Sequence, residues 1–204
     1  LTLAESISVI MGANIGTTVT AWLVSLIGFK FSIADIAIPM IGFALIFIFS
    51  KNDRCKSIGE VMIGFSLLFI GLEYLKNSVP DIKANPEMLH FLTEYTNMGY
   101  GSIILFLLIG TILTVIVQSS SATMAITLVM LSQGWITFEI GAAMVLGENI
   151  GTTITANIAG LTAKTNARRA ALSHTMFNLC GVVWMLVVFY PFMNLVEWMV
   201  GGNA

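Results

Sequence analysis

Six stretches of this chain are too long and too apolar to face water, and that property alone restricts it to a fold that lies in a bilayer. They run over about 3–28, 33–50, 58–78, 101–134, 136–162 and 171–196. The second, from Ile33 to Phe49, carries no charge except Asp35 near its start, and the third keeps Glu60 and Glu73 near its ends. The last holds Trp184, Phe189 and Tyr190 above Pro191, with Trp198 placed as an interfacial anchor. Composition agrees: 57% of residues are hydrophobic and 10% charged, where soluble domains have roughly 45–50% and 25%. The expected class is an all-α integral membrane protein. A formal net charge of −2 gives no reason to expect a nucleic-acid partner. Cys55 and Cys180 make neither a disulfide framework nor a metal-ligand spacing. The first residues do not read as a signal peptide, and the missing initiator Met leads us to expect that the chain begins inside a larger protein.

The connection from about Asn77 to Gly99 is the one long polar stretch, and Glu87 to Tyr95 within it has the spacing of a short surface helix. His90 and His174 each stand alone and read as polar fillers. The fourth stretch, Ser102 to Gly134, is too long for one crossing and carries Gln118-Ser119-Ser120-Ser121 at its middle. Each flank spans ~23 Å at the helical rise, short of the ~30 Å hydrocarbon core. One overshooting crossing and a re-entrant hairpin turning at the polar tip both fit that length. The hairpin is favoured, because polar backbone at membrane depth is tolerated only where it lines a cavity. Basic residues agree. With a hairpin, Lys51, Arg54, Lys56, Lys164, Arg168 and Arg169 fall on one side, leaving Lys30, Lys76 and Lys83 on the other. The positive-inside rule then makes loops 51–57 and 163–170 cytoplasmic, in a multi-pass protein of the cell membrane.

An internal repeat organises the chain. Gly12-Ala13-Asn14-Ile15-Gly16-Thr17-Thr18-Val19-Thr20-Ala21-Trp22 recurs as Gly147-Glu148-Asn149-Ile150-Gly151-Thr152-Thr153-Ile154-Thr155-Ala156-Asn157, offset by 135 with eight of eleven positions identical. The topology makes the copies antiparallel, the arrangement of inverted-repeat transporters whose helices are interrupted near the midplane. Three segments follow: 1–57, the end of a first inverted repeat; 58–99, a connecting helix and extracytoplasmic loop; and 100–204, the second repeat with its hairpin. At the same offset a first hairpin would lie before residue 1, so an upstream segment or a second chain is expected to supply it.

Glycine and paired threonines favour local unwinding of a membrane helix. Freed carbonyls with Asn, Thr and Ser oxygens would suit sodium, and a restarting helix would offer N–H groups to an anion. Small hydroxylated residues also pack membrane helices, but duplication together with a polar hairpin tip favours a binding site. Glu148 stands where the first copy has Ala13. It reads either as an ion ligand or proton-coupling group, or as a residue near the interface. Glu5, Glu60, Glu73 and Glu139 lie near segment ends and read as solvated. No metal set, lysine-bearing phosphate loop or activated nucleophile supports an enzyme.

The Gln118-Ser119-Ser120-Ser121-Ala122-Thr123 run, with the two Asn-Ile-Gly-Thr-Thr motifs, resembles the sodium/phosphate cotransporter family, the bacterial members most of all, which are similar to the animal type II sodium-dependent phosphate cotransporters. The resemblance implies two Gln-Ser-Ser-Ser hairpins, each followed by a broken helix, with phosphate and sodium bound between them. It places Gln118, Ser119, Ser120, Ser121 and Thr123 at the second hairpin of a site, and Asn149, Thr152, Thr153, Asn14, Thr17 and Thr18 as helix oxygens. Glu148 is a candidate for coupling, sodium is a co-substrate, and no other cofactor is implied. The resemblance also raises a PhoU-like regulatory domain beyond Ala204 as a partner. The expected function is sodium-coupled phosphate symport by alternating access. Transport of another anion, proton coupling through Glu148, or a non-transporting scaffold in phosphate signalling are the alternatives.

Overall fold

A computed structural model of the chain describes residues 2–28, 33–78 and 94–201. Every regular element among them is a helix. They are α1 (Leu3–Leu23), which runs into a π-helical turn at Val24–Gly28, α2 (Ile33–Ile48), α3 (Asp53–Ser78), α4 (Tyr100–Val117), α5 (Ser120–Ser132), α6 (Phe138–Gly160), α7 (Thr165–Val187) and α8 (Phe189–Val200). Four are long and apolar enough to cross a bilayer: α1 with its extension to Leu26, α3, α4 and α7. The chain is an all-α, multi-pass membrane protein. At 23 residues, α6 has ample length, ~34 Å at the helical rise. Its hydropathy is lowered by the polar run from Glu148 to Asn157. The 16 residues of α2 reach only ~24 Å. Expectations for Lys30, Lys83, His90 and the Glu87–Thr93 part of the surface helix lie outside the described residues.

The chain divides into two compact units, Thr20–Asp81 and a second made of Leu1–Val19 with Ile82–Ala204. In the first, α2 packs on α3 with backbone close to backbone. A methyl on Gly59 would lie 2.8 Å from Ile48 Cγ1 and 2.9 Å from the Ala44 carbonyl. Lys76 Nζ donates to the Gly28 carbonyl and lies 3.9 Å from Glu73. α3 starts earlier than its apolar run: Asn52 Oδ1 accepts from Arg54 N at 3.0 Å, and Asp53 in the first turn complements the helix dipole. Arg54 and Lys56 are therefore helical.

The second unit is built on α6. Ile103 and Phe106 of α4, Ile140 and Met144 of α6, and Phe189 and Met193 of α8 form its buried core. Contacts along α6 fix the directions of its neighbours. Methyls on Gly147 and Gly151 would strike α4 at Leu107 and at Thr114, respectively, so α4 and α6 run parallel. A methyl on Gly141 would meet Leu131 at 2.7 Å and Glu148 bonds Thr127, so α5 runs the opposite way. The fourth apolar stretch is thus a helical hairpin, reversing at Gln118–Ser119. α7 begins at Thr165, which places Arg168 and Arg169 in a helix where a loop over 163–170 was expected. Arg168 Nε donates to the Gly160 carbonyl at 3.2 Å, covering the end of α6. The last stretch is split at Val188. The ring of Pro191 would clash with the carbonyl four residues back, that of Val187, the last residue of α7.

One expectation is corrected. The two Asn-Ile-Gly-Thr-Thr segments do not unwind; both lie inside continuous helices, α1 and α6. Their hydroxyls donate back along their own helices: Thr17 to Ala13 O, Thr18 to Ile15 O, Thr152 to Glu148 O and Thr153 to Ile150 O. In α6 the glycines allow α4 to approach backbone to backbone, which offsets the ~1 kcal/mol glycine penalty. The chain breaks its helical path at the polar hairpin tip instead.

Candidate transport site

Two polar features stand out in the second unit. The first is the hairpin tip. Gln118 adopts the left-handed conformation, φ 57° and ψ 24°, sparsely populated by residues other than glycine. Its backbone N–H donates to the Thr114 carbonyl at 2.7 Å, closing α4. Ser119 is extended and caps α5, its hydroxyl accepting from Ala122 N at 3.3 Å. Thr123 is fully buried and its hydroxyl donates to the Ser119 carbonyl at 3.0 Å. Gln118 and Ser119 are exposed, and Ser120 and Ser121 half-buried. The first-turn N–H groups of α5 have no acceptor within the helix, so the tip presents amide donors, hydroxyls and a carboxamide at a positive dipole end.

The second feature joins the two copies of the repeat. Asn14 Nδ2 on α1 donates to Asn178 Oδ1 on α7 at 2.7 Å. Asn178 Nδ2 donates to the carbonyl of Asn149 on α6 at 2.8 Å. The equivalent asparagines of the repeat thus meet through one carboxamide. His174 Nε2 lies 3.0 Å from Asn14 Oδ1 and 3.2 Å from Asn178 Nδ2. Nε2 can serve one of these contacts at a time, as a donor to Asn14 Oδ1 or as an acceptor from Asn178 Nδ2, according to its tautomer. Lower on the same pair of helices, Asn157 Nδ2 bridges Thr153 O at 2.8 Å and Thr175 Oγ1 at 2.5 Å. Glu148 is 1% exposed and accepts from the Thr127 hydroxyl at 2.8 Å, so its carboxyl group is enclosed between α5 and α6.

Of the residues singled out from sequence, Asn14 and Asn149 come together through Asn178, Glu148 faces the hairpin arm, and Thr17, Thr18, Thr152 and Thr153 bond their own helices. Gln118 to Ser121 form the tip, with no hydrogen bond to the asparagine cluster among the described residues. The sequence alone does not single out Asn178 or Thr127, and His174, a polar filler by sequence, sits within the asparagine cluster. The usable signal was His174 and Asn178 four apart, one face of a helix, in an otherwise apolar span.

Residues 1–77 and 84–201 match the profile of the Na+/Pi-cotransporter family. YjbB of Salmonella typhimurium, whose name assigns it provisionally to inorganic phosphate export, is 29% identical over 196 residues, covering 96% of this chain and 34% of that protein. The uncharacterized protein YqeW of Bacillus subtilis is 30% identical, over 91% of this chain and 58% of its own length. Human sodium-dependent phosphate transport protein 2B is 40% identical over 91 residues, 43% of this chain and 13% of that protein. The chain thus spans about a third of YjbB and somewhat over half of YqeW. No solved structure matches it. The repeated motif, the hairpin and the match along nearly all of the chain agree: it belongs to the Na+/Pi-cotransporter family.

Proposed function

We propose that the complete protein moves inorganic phosphate together with sodium by alternating access, with this chain supplying one hairpin and both Asn-Ile-Gly-Thr-Thr helices. The observation that carries this reading is the junction of Asn14, Asn178 and the Asn149 carbonyl, because inverted-repeat transporters build their sites where the copies meet. In this reading residues 1–57 and 100–204 belong to opposed repeats linked by 58–99, and the basic ends near 51–57 and 163–170 face the cytoplasm. Phosphate binds at the start of α5, where Ser119, Ser120 and Ser121 offer hydroxyl and amide donors and Gln118 its carboxamide. Sodium takes neutral oxygens of the two helices. A threonine that donates to its own helix has used its proton but keeps its lone pairs, so Thr17, Thr18, Thr152 and Thr153 remain able to ligate a cation. Burying an unpaired oxyanion in hydrocarbon is prohibitive, and bound sodium offsets that charge.

Radiolabelled phosphate flux in liposomes holding the complete protein tests this, with sodium or potassium gradients imposed in either direction. Flux that follows the sodium gradient supports symport and reveals its direction. Equal flux with sodium and potassium removes the coupling, and no flux under any cation removes the function. Gln118→Gly sharpens the site. Glycine relieves the left-handed backbone, by about 1 kcal/mol, while removing the carboxamide. We expect unchanged or slightly higher thermal stability with at least tenfold weaker apparent phosphate affinity. Unaltered phosphate affinity would take Gln118 out of the site.

A further inference from the structure

Glu148 buries a carboxyl group for which the described residues offer no positive partner. Its Oε1 accepts from Thr127 at 2.8 Å, whereas Oε2 is buried and meets no hydrogen-bond donor. The contact it does make is neutral, the Thr127 hydroxyl of α5, and the residues that precede and follow it on the seam with α4, Gly147 and Gly151, meet Leu107, Thr111 and Thr114 there. The ion pair among the described residues, Lys76–Glu73, is elsewhere. A carboxyl group so enclosed in a membrane helix needs a positive partner or a proton, and an orphaned buried oxygen calls for a bound ion, a water or a proton to account for it.

We propose that Glu148 Oε2 ligates an alkali cation, sodium in the transport cycle, at the seam between α5 and α6. The site deepens the sodium-coupled reading and rests on it for the identity of the ion. Two consequences follow from the geometry. Because the first copy of the repeat has Ala13 at this position, the site exists once per chain rather than twice. Because Thr127 belongs to α5, an ion held at Glu148 steadies the arm whose first residues form the polar tip.

The experiment is radioactive sodium binding to the purified complete protein in the absence of phosphate. Glu148→Gln preserves the shape and an acceptor for Thr127 while removing the charge. We expect one fewer sodium ion per protomer, or at least tenfold weaker binding of one ion, and no change for the control Glu73→Gln, a half-exposed carboxylate beside Lys76. Unchanged stoichiometry and affinity in Glu148→Gln overturns the site, as does a wild-type protein that binds no sodium. A second measurement needs no variant. A hydrophobic carbodiimide should label Glu148 in the wild-type protein, read by peptide mass spectrometry, and sodium but not choline should protect it. Labelling indifferent to sodium overturns the proposal, including the outcome in which only pH alters labelling and the group carries a proton instead. Sodium binding that depends on Glu148 in a protein showing no phosphate flux would uphold the site while refuting the proposed function.

Discussion

Gly147→Ala should be among the most destabilising single methyl additions in this protein. The new methyl would overlap the Leu107 carbonyl and lie 2.8 Å from Thr111 N, both backbone atoms of α4, so no side-chain rotation can make room. The two helices must separate, and with them go the Thr111 hydroxyl's bond to the Gly147 carbonyl, 3.0 Å, and the fit of Gly151 against Thr114. Overpacking of this kind costs about 3 kcal/mol or more when the obstacle cannot move. Thermal unfolding of the purified protein in detergent, followed by tryptophan fluorescence or size-exclusion survival, reads it directly. The control is Gly181→Ala in α7, where nothing lies within 4 Å. There we expect a change within about 0.5 kcal/mol, with helix propensity favouring alanine. Equal stability of the two variants would show that α4 and α6 are not in backbone contact. Gly12, the counterpart of Gly147 in the first copy, also has nothing within 4 Å. In sequence the two copies differ at this motif where Ala13 stands for Glu148.

The backbone contact at Gly147 marks a limit of what the sequence makes legible. The membrane class, the hairpin and the repeat could be read directly. Each depends on quantities carried along the chain itself: run length against bilayer thickness, a polar tip between apolar flanks, identity at a fixed offset. The hairpin reversed where Gln118 and Ser119 interrupt the apolar run, since that is where α4 must end and α5 be capped. The boundary between α6 and α7 was less legible, because Arg168 covers the end of α6 through the Gly160 carbonyl, eight residues back and in another helix. The expected unwinding of the Asn-Ile-Gly-Thr-Thr segments failed for a tertiary reason: glycine propensity lost to close packing with α4. Asn178 could not be placed at all. One asparagine in an apolar span announces a polar partner, but which helix it faces depends on the rotation of α7 against α1 and α6.

Under the proposed function, Asn178→Leu should abolish most phosphate transport by the complete protein while leaving it folded. The substitution keeps the volume and suits a membrane helix, yet removes the acceptor of Asn14 Nδ2 and the donor to the Asn149 carbonyl. Interhelical hydrogen bonds within membranes contribute on average ~0.6 kcal/mol each, up to ~1.7. Loss of two therefore costs about 1–3 kcal/mol, too little on its own to unfold a multi-helix bundle. The same carboxamide holds the two repeated asparagines in register, and a misplacement of order 1 Å at a binding site can lower turnover a hundredfold. We expect sodium-driven phosphate flux reduced at least tenfold, at expression levels and a melting temperature close to the parent. A double-mutant cycle separates the register argument from a generic loss of polarity. Asn14→Leu alone should be as harmful as Asn178→Leu, and the double variant no worse than either, since each single change already breaks the shared contact. Effects that simply add in the logarithm of flux would show that Asn14 and Asn178 serve transport independently. The junction of the two copies would then be a packing contact rather than the centre of the site.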